Sequence, residues 1–372
     1  MRRRDLITVM AGAAATFVRA QGREWLMFAG TYTNRRSKGI YVLRFDSKGA
    51  LKDLGLAAET SNPSFLALSP RGYLYSVNED AHGTVSAFAF DRASGRLRFL
   101  NTVSSKGDAP CHVSFDRTGR WLFAANYDSG SVAAFPLRAD GSLGEASAFV
   151  QHHGSSVDKE RQTGPHAHMA LVSGDNRLLF VPDLGLDQVV VYRIDAQKGT
   201  LAANSPAFWK TAPGFGPRHM AFGKDLRFAY VLGELVASVC VFRYDAKTGG
   251  AEAIQTISML PDDFKGPKSG AEIEVHPGGQ FLYASNRGHD SIAIFRIDQA
   301  TGKLAAVDRV PARVRTPRNF AIDPSGVFLL AAGQDSNAVA VFRIDGASGR
   351  LTPLGDPIAS PVPVSLVFAT AS

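Results

Sequence analysis

GPRHMAFGKDLRFAYVLGE, residues 216–234, contains a Pro-Arg step, a short apolar run, a polar turn and a second apolar run. The same order of features returns in TPRNFAIDPSGVFLLAAGQ, residues 316–334. Runs of this length and composition, bounded by turn residues, are typical of β-strands. The repeated arginine needs an explanation, because a buried strand rarely holds a charge without a partner.

The same unit is found six times along the chain, with a period of about fifty residues. Each unit ends in a third run, of which VVVYRIDAQKGTL (189–201) is an example. No window of comparable length shows helical periodicity, so the pattern predicts an all-β protein. The six units begin at Asn62, Ala109, Gly164, Gly216, Ser269 and Thr316.

The two ends of the chain supply a seventh unit in pieces. LMFAGTY (26–32) and GIYVLRFDSKGAL (39–51) match a second and a third run, while SPVPVSLVF (360–368) matches a first run. Pairing the C-terminal strand with the N-terminal sheet would close a ring and leave no large exposed sheet edge. We therefore predict one seven-bladed β-propeller domain over residues 22–372, with four-stranded antiparallel blades and a ring closed by the N- and C-terminal strands.

The first twenty residues have the pattern of an export signal. Three arginines at positions 2–4 precede a short apolar run that ends in V-R-A at residues 18–20, which is typical of a signal peptide. The arginine pair at 3–4, followed by D-L-I, resembles the twin-arginine export pattern. We expect a signal peptide over residues 1–20 and a periplasmic or secreted mature chain; without export the location would be cytoplasmic.

Composition limits the partners of the chain. Of its 372 residues 45% are hydrophobic and 20% are charged, which suits a folded protein with a sizeable core. The leader holds four arginines and one aspartate, so its removal lowers the formal net charge from +7 to +4. Because the basic residues are scattered, we expect a small anionic or sugar substrate, no nucleic acid, and no membrane partner for the mature form. Cys111 and Cys240 lie too far apart for a zinc or disulfide pattern, and we expect two separately buried thiols.

Two positions of the repeat break its apolar pattern. The first run of each unit would line the channel of a propeller, so its opening residues and the end of the second run should meet at one mouth. Just after the Pro-type step stand Ser64, Cys111, Arg218, Ala271 and Arg318, with His166-Ala167-His168 in a unit that carries one extra residue. At the end of the second run stand Thr31, Glu79, Tyr127, Leu184, Glu234, Arg287 and Gln334.

Arg218, Arg287 and Arg318 allow two interpretations. Each could tie neighbouring blades together through Glu79, Glu234 or a backbone carbonyl, because buried charges normally occur in pairs. Three arginines at equivalent positions of three blades instead favour a shared anion, which a guanidinium binds through paired hydrogen bonds.

The histidines also allow a structural and a functional interpretation. His112, His168 and His219 align one place after the first polar position, so part of their recurrence can be structural. His166 and His168 could share one side of a strand, but a His-x-His pair without nearby carboxylates is weak support for a metal. We therefore expect no metal and no cofactor. A long connection, residues 144–163, could overhang the mouth.

The motifs resemble those of a known family. GTYT (30–33), PCHVSFD (110–116), PHAH (165–168), GPRHMAF (216–222) and TPRNFAIDPSG (316–326) together resemble the seven-bladed lactonase family, which includes propeller-type 6-phosphogluconolactonases and a fungal carboxymuconate-lactonising enzyme. The resemblance covers nearly the whole mature chain. It implies hydrolysis of a sugar lactone, with a muconate-type lactonising isomerase as the alternative. A binding or scaffold propeller without catalysis is the third possibility, because fold does not dictate function.

The family's proposed site, carried over to matching positions, implies roles for particular residues. Attack of water on a lactone carbonyl needs a base and fixed positive charge near the developing oxyanion. The resemblance implies His168 or His166 as the base, Glu234 as its orienting partner and Arg218 as the oxyanion ligand. Arg287 and Arg318 would bind the phosphate or carboxylate of the substrate. We expect further substrate contacts from Gln334, Glu79, His112 and His219.

The export signal bears on the substrate. Phosphogluconolactone is a cytoplasmic metabolite, so an exported chain would act on an unphosphorylated lactone. No Gly-x-Ser-x-Gly context is present in the sequence, which disfavours a covalent acyl intermediate on serine.

Overall fold

The computed structural model describes residues 24–33, 36–69 and 71–369. These residues form 28 β-strands and no helix. The expected leader, residues 1–20, lies outside the described residues, so the export signal and the domain boundary at residue 22 stay predictions. In the described ranges, no helix of the length and hydropathy needed to cross a membrane is found.

The strands are numbered in chain order. Their bounds are β1 Glu24–Thr31, β2 Gly39–Asp46, β3 Leu51–Glu59, β4 Leu66–Ser69, β5 Tyr73–Asn78, β6 Thr84–Phe90, β7 Leu97–Ser104, β8 Pro110–Phe115, β9 Trp121–Asn126, β10 Ser131–Pro136, β11 Ala148–Gln151, β12 Leu171–Val172, β13 Leu178–Asp183, β14 Gln188–Asp195, β15 Thr200–Lys210, β16 Pro217–Phe222, β17 Phe228–Gly233, β18 Ser238–Asp245, β19 Gly250–Ser258, β20 Gly270–Val275, β21 Phe281–Asn286, β22 Ser291–Ile297, β23 Leu304–Pro311, β24 Pro317–Ile322, β25 Phe328–Gly333, β26 Ala338–Ile344, β27 Leu351–Ala359 and β28 Pro363–Phe368.

The strands form seven antiparallel sheets of four, and each sheet is one blade. Six blades use four consecutive strands, from β4–β7 to β24–β27. The seventh has the order β28-β1-β2-β3, with Met27 opposite Phe368 and Ala29 opposite Leu366. The predicted seven-bladed propeller and its closure by the two ends of the chain are therefore confirmed.

Seven apolar clusters hold the ring together, one between each pair of adjacent blades. Tyr230 and Phe295, for example, are buried between the β16–β19 and β20–β23 blades. Each fully buried large apolar side chain of this kind contributes about 2 kcal/mol of transfer free energy. Because both faces of every blade are covered, the inner ends of the strands are held at fixed positions around the channel.

The blade β12–β15 is irregular at its inner edge. Its innermost strand β12 has only two residues, and Ala167 makes an isolated bridge to Asp183. The Leu184 amide donates to the His166 carbonyl as the Glu234 amide donates to that of Gly216, so this unit carries two extra residues before His166 and not the one expected. By the same register His168 stands at the position of Arg218, and the expected alignment of His168 with His112 and His219 is wrong. His166 and His168 consequently stand outside a regular strand, unlike His112 in β8 and His219 in β16.

Candidate active site

A backbone hydrogen bond that recurs in six blades places the residue at the end of the second run of each unit at the mouth of the channel. In six blades the amide of this residue donates to the carbonyl that precedes the innermost strand. The donors are Glu79, Tyr127, Leu184, Glu234, Arg287 and Gln334. In the closing blade, Leu26 pairs with Arg44 as Phe328 pairs with Arg343. Because Gln334 lies six residues after Phe328, the equivalent of Gln334 is Tyr32 and not Thr31.

Glu234 lies at the centre of a cluster of three arginines from separate segments. Its Oε2 is 3.0 Å from Arg218 Nε and 2.8 Å from Arg287 Nη2. Its Oε1 accepts a hydrogen bond of 2.7 Å from Arg161 Nη2. The predicted pairing of Glu234 with an imidazole is not among its contacts with the described residues. The carboxylate positions guanidinium groups instead.

Burial and charge shift the pKa values of this cluster. Burial raises the pKa of Glu234, but Arg287, Arg218 and Arg161 outweigh it and lower that pKa to about 2. Burial, followed by the charges of Arg287 and Arg318, lowers the pKa of Arg218 to about 10. All of these groups remain charged at neutral pH. Arg218 also donates through Nη1 to the Ala271 carbonyl, which leaves Nη2 for a ligand oxygen.

A second charged group stands beside the first. Arg318 Nη2 is 3.9 Å from Glu79 Oε1, and its guanidinium lies over the Tyr32 ring, 5.2 Å from the centroid. The Tyr32 hydroxyl lies 2.9 Å from each Glu79 oxygen, so it donates to that carboxylate. Burial is the largest of the effects that raise the pKa of Tyr32, so its hydroxyl stays protonated.

A small cavity, with about 10 Å³ of space for the centre of a water molecule, adjoins both groups. Six blades contribute to its lining, and the polar lining residues include Ser64, Cys111, Arg218, His219, Glu272 and Arg318. Ser64 Oγ and His219 Nε2 are buried and have no hydrogen-bond partner among the described residues. Guanidinium groups outnumber carboxylates around this cavity and its mouth, even when Glu272 is counted with Glu79 and Glu234. An anion is therefore the expected ligand.

Buried histidine rings lie in contact with one another at the cavity wall. The His219 ring centroid is 5.5 Å from that of His112 and 5.2 Å from that of His168. Burial is the largest cause that lowers the pKa of all three. The charge of Arg218 lowers these pKa values further. All three rings are neutral at pH 7 and available as hydrogen-bond donors or acceptors.

His219 differs from its neighbours in having a carboxylate partner. Its Nδ1 is 2.9 Å from Glu272 Oε1, and Glu272 Oε2 accepts a 2.5 Å hydrogen bond from Asn319 Nδ2. Asn319 Oδ1 in turn accepts a hydrogen bond of 2.8 Å from the Leu366 amide. The chain of bonds runs through β16, β20, β24 and β28, which are the innermost strands of four consecutive blades.

His168 and His166 have other surroundings. His168 Nδ1 lies 3.7 Å from Cys111 Sγ, a thiol whose pKa burial raises well above its usual range. His166 is partly buried, stacks on Tyr127 at 4.6 Å, and bonds through Nδ1 to the Tyr127 carbonyl at 2.9 Å. Neither imidazole has a carboxylate partner among its contacts with the described residues.

The long connection before β12 reaches the mouth. Buried His152 pairs through Nδ1 with Asp183 Oδ2 at 2.6 Å, which fastens the connection to β13. Arg161 then extends to Glu234 and also donates to the Tyr127 hydroxyl at 3.0 Å. The connection thus contributes a cation that no blade supplies.

The structure brings together most of the predicted site residues. Arg218, Glu234 and Arg287 form one cluster, Arg318 and Glu79 adjoin it, and His112, His168 and His219 line the same region. Gln334 is different. It occupies the equivalent backbone position, but its side-chain amide contacts Asp335 Oδ1 at 3.4 Å.

Among the described residues, no three His, Cys, Asp or Glu side chains are grouped so that they could hold a metal ion. Cys111 and Cys240 are both buried free thiols, as expected from the sequence.

Four residues of the site were missed by the sequence patterns. Glu272 and Asn319 stand at the repeat position that holds His112 and His219, so the alignment of the units carried a signal for them. In the closing blade the sequence alignment selected Thr31, which is one residue before Tyr32. Arg161 lies in a connection outside the repeat, and no periodic signal could have found it.

The chain matches the family model described as "Lactonase, 7-bladed beta-propeller" over residues 26–368. A 6-phosphogluconolactonase of Bacillus subtilis is 39% identical over 304 residues, which are 81% of this chain and 85% of the relative.

Solved structures of similar proteins have the same fold. A putative 6-phosphogluconolactonase from Bacteroides fragilis superposes with a TM-score of 0.88 at 39% identity, covering 93% of this chain and 98% of that one. A periplasmic gluconolactonase of Pseudomonas aeruginosa gives a TM-score of 0.89 at 37% identity, covering 94% and 99%.

Proposed function

Because the chain belongs to the seven-bladed β-propeller lactonase family, we propose that it hydrolyses a sugar lactone at the mouth of its central channel. The observation that carries the proposal is the convergence of Arg161, Arg218 and Arg287 on Glu234, beside a cavity that Arg318 also lines. A scaffold has no need for buried positive charge in excess, since such charge is costly to desolvate without a ligand.

The arginines supply fixed positive charge for the reaction. Attack of water on the lactone carbonyl moves negative charge onto the carbonyl oxygen, and a preorganised cation near that oxygen lowers the barrier. Arg218 takes this role because it is 2% exposed, is held by Glu234, and keeps Nη2 for a ligand. Glu234 acts as a positioning residue that prevents the guanidinium groups from repelling one another.

Arg318 and Arg287 bind the anionic or polar end of the substrate. Both side chains are more exposed than Arg218, at 16% and 15% against 2%. Arg318 is 3.9 Å from its carboxylate, so its bond to Glu79 is weak and a substrate phosphate or carboxylate can compete for it.

A neutral histidine supplies the base. The lowered pKa values of His168 and His219 keep these rings unprotonated at pH 7, as a base must be. His166 is the remaining candidate, at the rim of the mouth.

Two similar proteins are named for different lactone substrates, one phosphorylated and one not. The Bacillus subtilis relative is a 6-phosphogluconolactonase, and the Pseudomonas aeruginosa neighbour is a periplasmic gluconolactonase. The expected signal peptide supports a periplasmic or secreted location and hence an unphosphorylated hexonolactone. N-terminal sequencing of the protein recovered from its host tests this, and a mature start near Gln21 is expected.

A panel of lactones tests the activity. Acid release at fixed pH is followed for glucono-δ-lactone, its 6-phosphate, and an unsaturated diacid, with the spontaneous rate subtracted. We expect hydrolysis of at least one sugar lactone well above the spontaneous rate. Release from no sugar lactone would favour a scaffold, and activity on the diacid alone would favour a lactonising isomerase; either result overturns the proposal.

A further inference from the structure

His219, Glu272 and Asn319 form a hydrogen-bonded chain in the cavity wall, and the three are 2%, 6% and 5% exposed. We infer that His219 is the general base of the hydrolysis and that Glu272 and Asn319 are positioning residues that orient it. This inference rests on the proposed lactone hydrolysis. It replaces the base expected from the sequence, His168 or His166, and changes His219 from a substrate contact into a catalytic residue.

The carboxylate determines which ring nitrogen is free. Burial raises the pKa of Glu272, but His219 and Arg218 outweigh it and lower the pKa, so the group is ionised. An ionised carboxylate only accepts hydrogen bonds, and its Oε1 lies 2.9 Å from His219 Nδ1. Nδ1 therefore carries the proton, and Nε2 keeps its lone pair.

The free nitrogen has no other use in the described structure. His219 Nε2 is fully buried and has no hydrogen-bond partner among the described residues, although an unpaired buried polar atom is costly. His219 lines the cavity beside Arg218, the proposed oxyanion ligand. A lone pair and a guanidinium on the wall of one cavity suit a water and a carbonyl that react with each other.

The other histidines lack one or more of these features. His112 Nδ1 accepts a hydrogen bond from the Ala170 amide, at 3.4 Å, so the proton of its neutral ring is on Nε2. His168 Nδ1 faces the Cys111 thiol. His166 has a backbone carbonyl as its Nδ1 partner. A carboxylate stabilises the imidazolium that forms during proton transfer, and among these rings the described contacts give one only to His219.

The proposed step balances within the site. His219 Nε2 takes a proton from water as the water oxygen bonds to the lactone carbonyl carbon, and the carbonyl electron pair moves to the oxygen beside Arg218. Collapse of this intermediate breaks the bond between the carbonyl carbon and the ring oxygen. The imidazolium returns its proton to the ring oxygen, which becomes the hydroxyl of the acid product. Lactone and water give one hydroxy acid, and the enzyme is unchanged.

The pH dependence follows from the groups that face the ring. Glu272 raises the pKa of His219, while burial, Arg218 and Arg318 lower it; neutral His112 and His168 complete the surroundings. The base must be unprotonated, so kcat falls as pH falls through the pKa of His219, which lies below its ordinary value. Removing the negative charge of Glu272 lowers this pKa further and moves the acidic limb to lower pH.

Four variants of the full chain test the inference. We expect His219→Gln to lower kcat about 100-fold with KM within about threefold. Glu272→Gln should lower kcat about tenfold and shift the acidic limb to lower pH. Glu272→Gln combined with Asn319→Asp keeps every hydrogen bond and moves the charge one residue away, so it should fold normally and have an intermediate kcat. The matched control is His276→Gln, because both His276 nitrogens bond to backbone at the opposite end of the strands, and its kcat should be unchanged.

The outcomes separate this inference from the proposed function. A wild-type chain that hydrolyses no sugar lactone would refute the function itself. Hydrolysis by the wild type together with a normal kcat in folded His219→Gln would overturn the base assignment while leaving the function in place. A decrease in kcat for Glu272→Gln without a shift of the acidic limb, at an unchanged melting temperature, would show that Glu272 does not act through the imidazole.

Discussion

Arginines are found at both ends of the inner strands, and their partners differ between the two ends. At the turn end, Arg71, Arg120, Arg177 and Arg227 each donate through Nη2 to one carbonyl of the next blade, at 2.6 to 3.0 Å. Arg177 and Arg227 are 57% and 56% exposed. At the mouth, Arg218 is buried and Arg287 is partly buried. Each donates to one backbone carbonyl, and both also share the Glu234 carboxylate with Arg161.

This difference separates arginines that stabilise the contacts between blades from arginines that form the candidate site. The arginines at the turn end repeat from blade to blade and keep water around part of the side chain, so each stabilises one interface modestly. At the mouth, Arg218, Arg287 and Arg318 occupy positions that vary between blades, and their side chains are only 2%, 15% and 16% exposed. The contacts of the structural interpretation, with Glu234, Glu79 and backbone carbonyls, are present at Arg218, Arg287 and Arg318. Convergence on a shared carboxylate beside a cavity supports a ligand for these arginines.

The largest effect that separates the two sets is expected for Arg218→Ala. Loss of the proposed oxyanion ligand should lower kcat by about 10²-fold to 10³-fold, with a smaller change in KM. Arg227→Ala is the matched control at the other end of the same blade, and it should keep its kcat. Steady-state kinetics of the two variants, with the lactone that the wild type hydrolyses, measure kcat and KM. Equal losses in the two variants would remove the distinction between the two ends.

Arg318→Ala tests binding within the mouth. Removing one charge-assisted contact should raise KM about tenfold and leave kcat within about threefold. The increase should be larger for the phosphorylated lactone if Arg318 binds the phosphate. A fall in kcat as large as that of Arg218→Ala would instead place Arg318 at the reacting carbonyl.

Framework arginines should affect stability and not turnover. Arg177→Ala removes the bond to the Ala246 carbonyl and a largely exposed ion pair with Asp175, so the free energy of unfolding should decrease slightly while kcat is unchanged. Urea unfolding measures the change, with Arg343→Ala as a control on an exposed outer position. If kcat fell as well, the turn end would be linked to the site.

The smallest expected effect is on the pH dependence of stability, and it concerns Glu274 in β20 and Glu234, which directly follows β17. Burial raises the pKa of Glu274 in β20 to about 8, with a further contribution from Glu272. A raised pKa means that native Glu274 holds its proton while the unfolded chain has lost it, so stability falls as pH rises from about 4.5 to 8. Relative to the wild type, Glu274→Gln should gain about 1 kcal/mol between pH 5 and pH 8, after allowance for partial solvent contact.

Glu234 has the opposite effect on how stability depends on pH. Its lowered pKa stabilises the fold above about pH 4.5, and this contribution is lost as pH falls toward 2. The unfolding free energies of Glu274→Gln and Glu234→Gln, measured across pH, should therefore diverge from that of the wild type in opposite directions. A pH-independent difference for Glu274→Gln would show that its carboxyl is solvated in the native state.

The fold could be predicted from the sequence because its information is periodic. Six copies of one unit and a seventh split between the ends determine the blade number and the closure. The side-chain amides of Asn78, Asn126 and Asn286 donate to backbone carbonyls at equivalent places in three blades. Positions that break the repeat also gave most of the mouth, including Arg218, Glu234 and Arg287.

Partners within the site were harder to predict. Which carboxylate binds which cation depends on distances between blades, and sequence spacing contains no such information. Glu234 was therefore expected beside an imidazole and lies among arginines, while Glu272 forms the imidazole pair. Arg161 depends on the path of a connection that is fastened by a buried His152–Asp183 pair, which no repeat encodes.

Closure of the ring by β28 has a consequence for folding. Val364 lines the cavity, and the Leu366 amide donates to Asn319 Oδ1, so the strand that closes the ring is also part of the site. Without β28, the strand β1 has an unpaired edge and the cavity wall loses these contacts. The site therefore assembles only when the first and last strands of the propeller have paired.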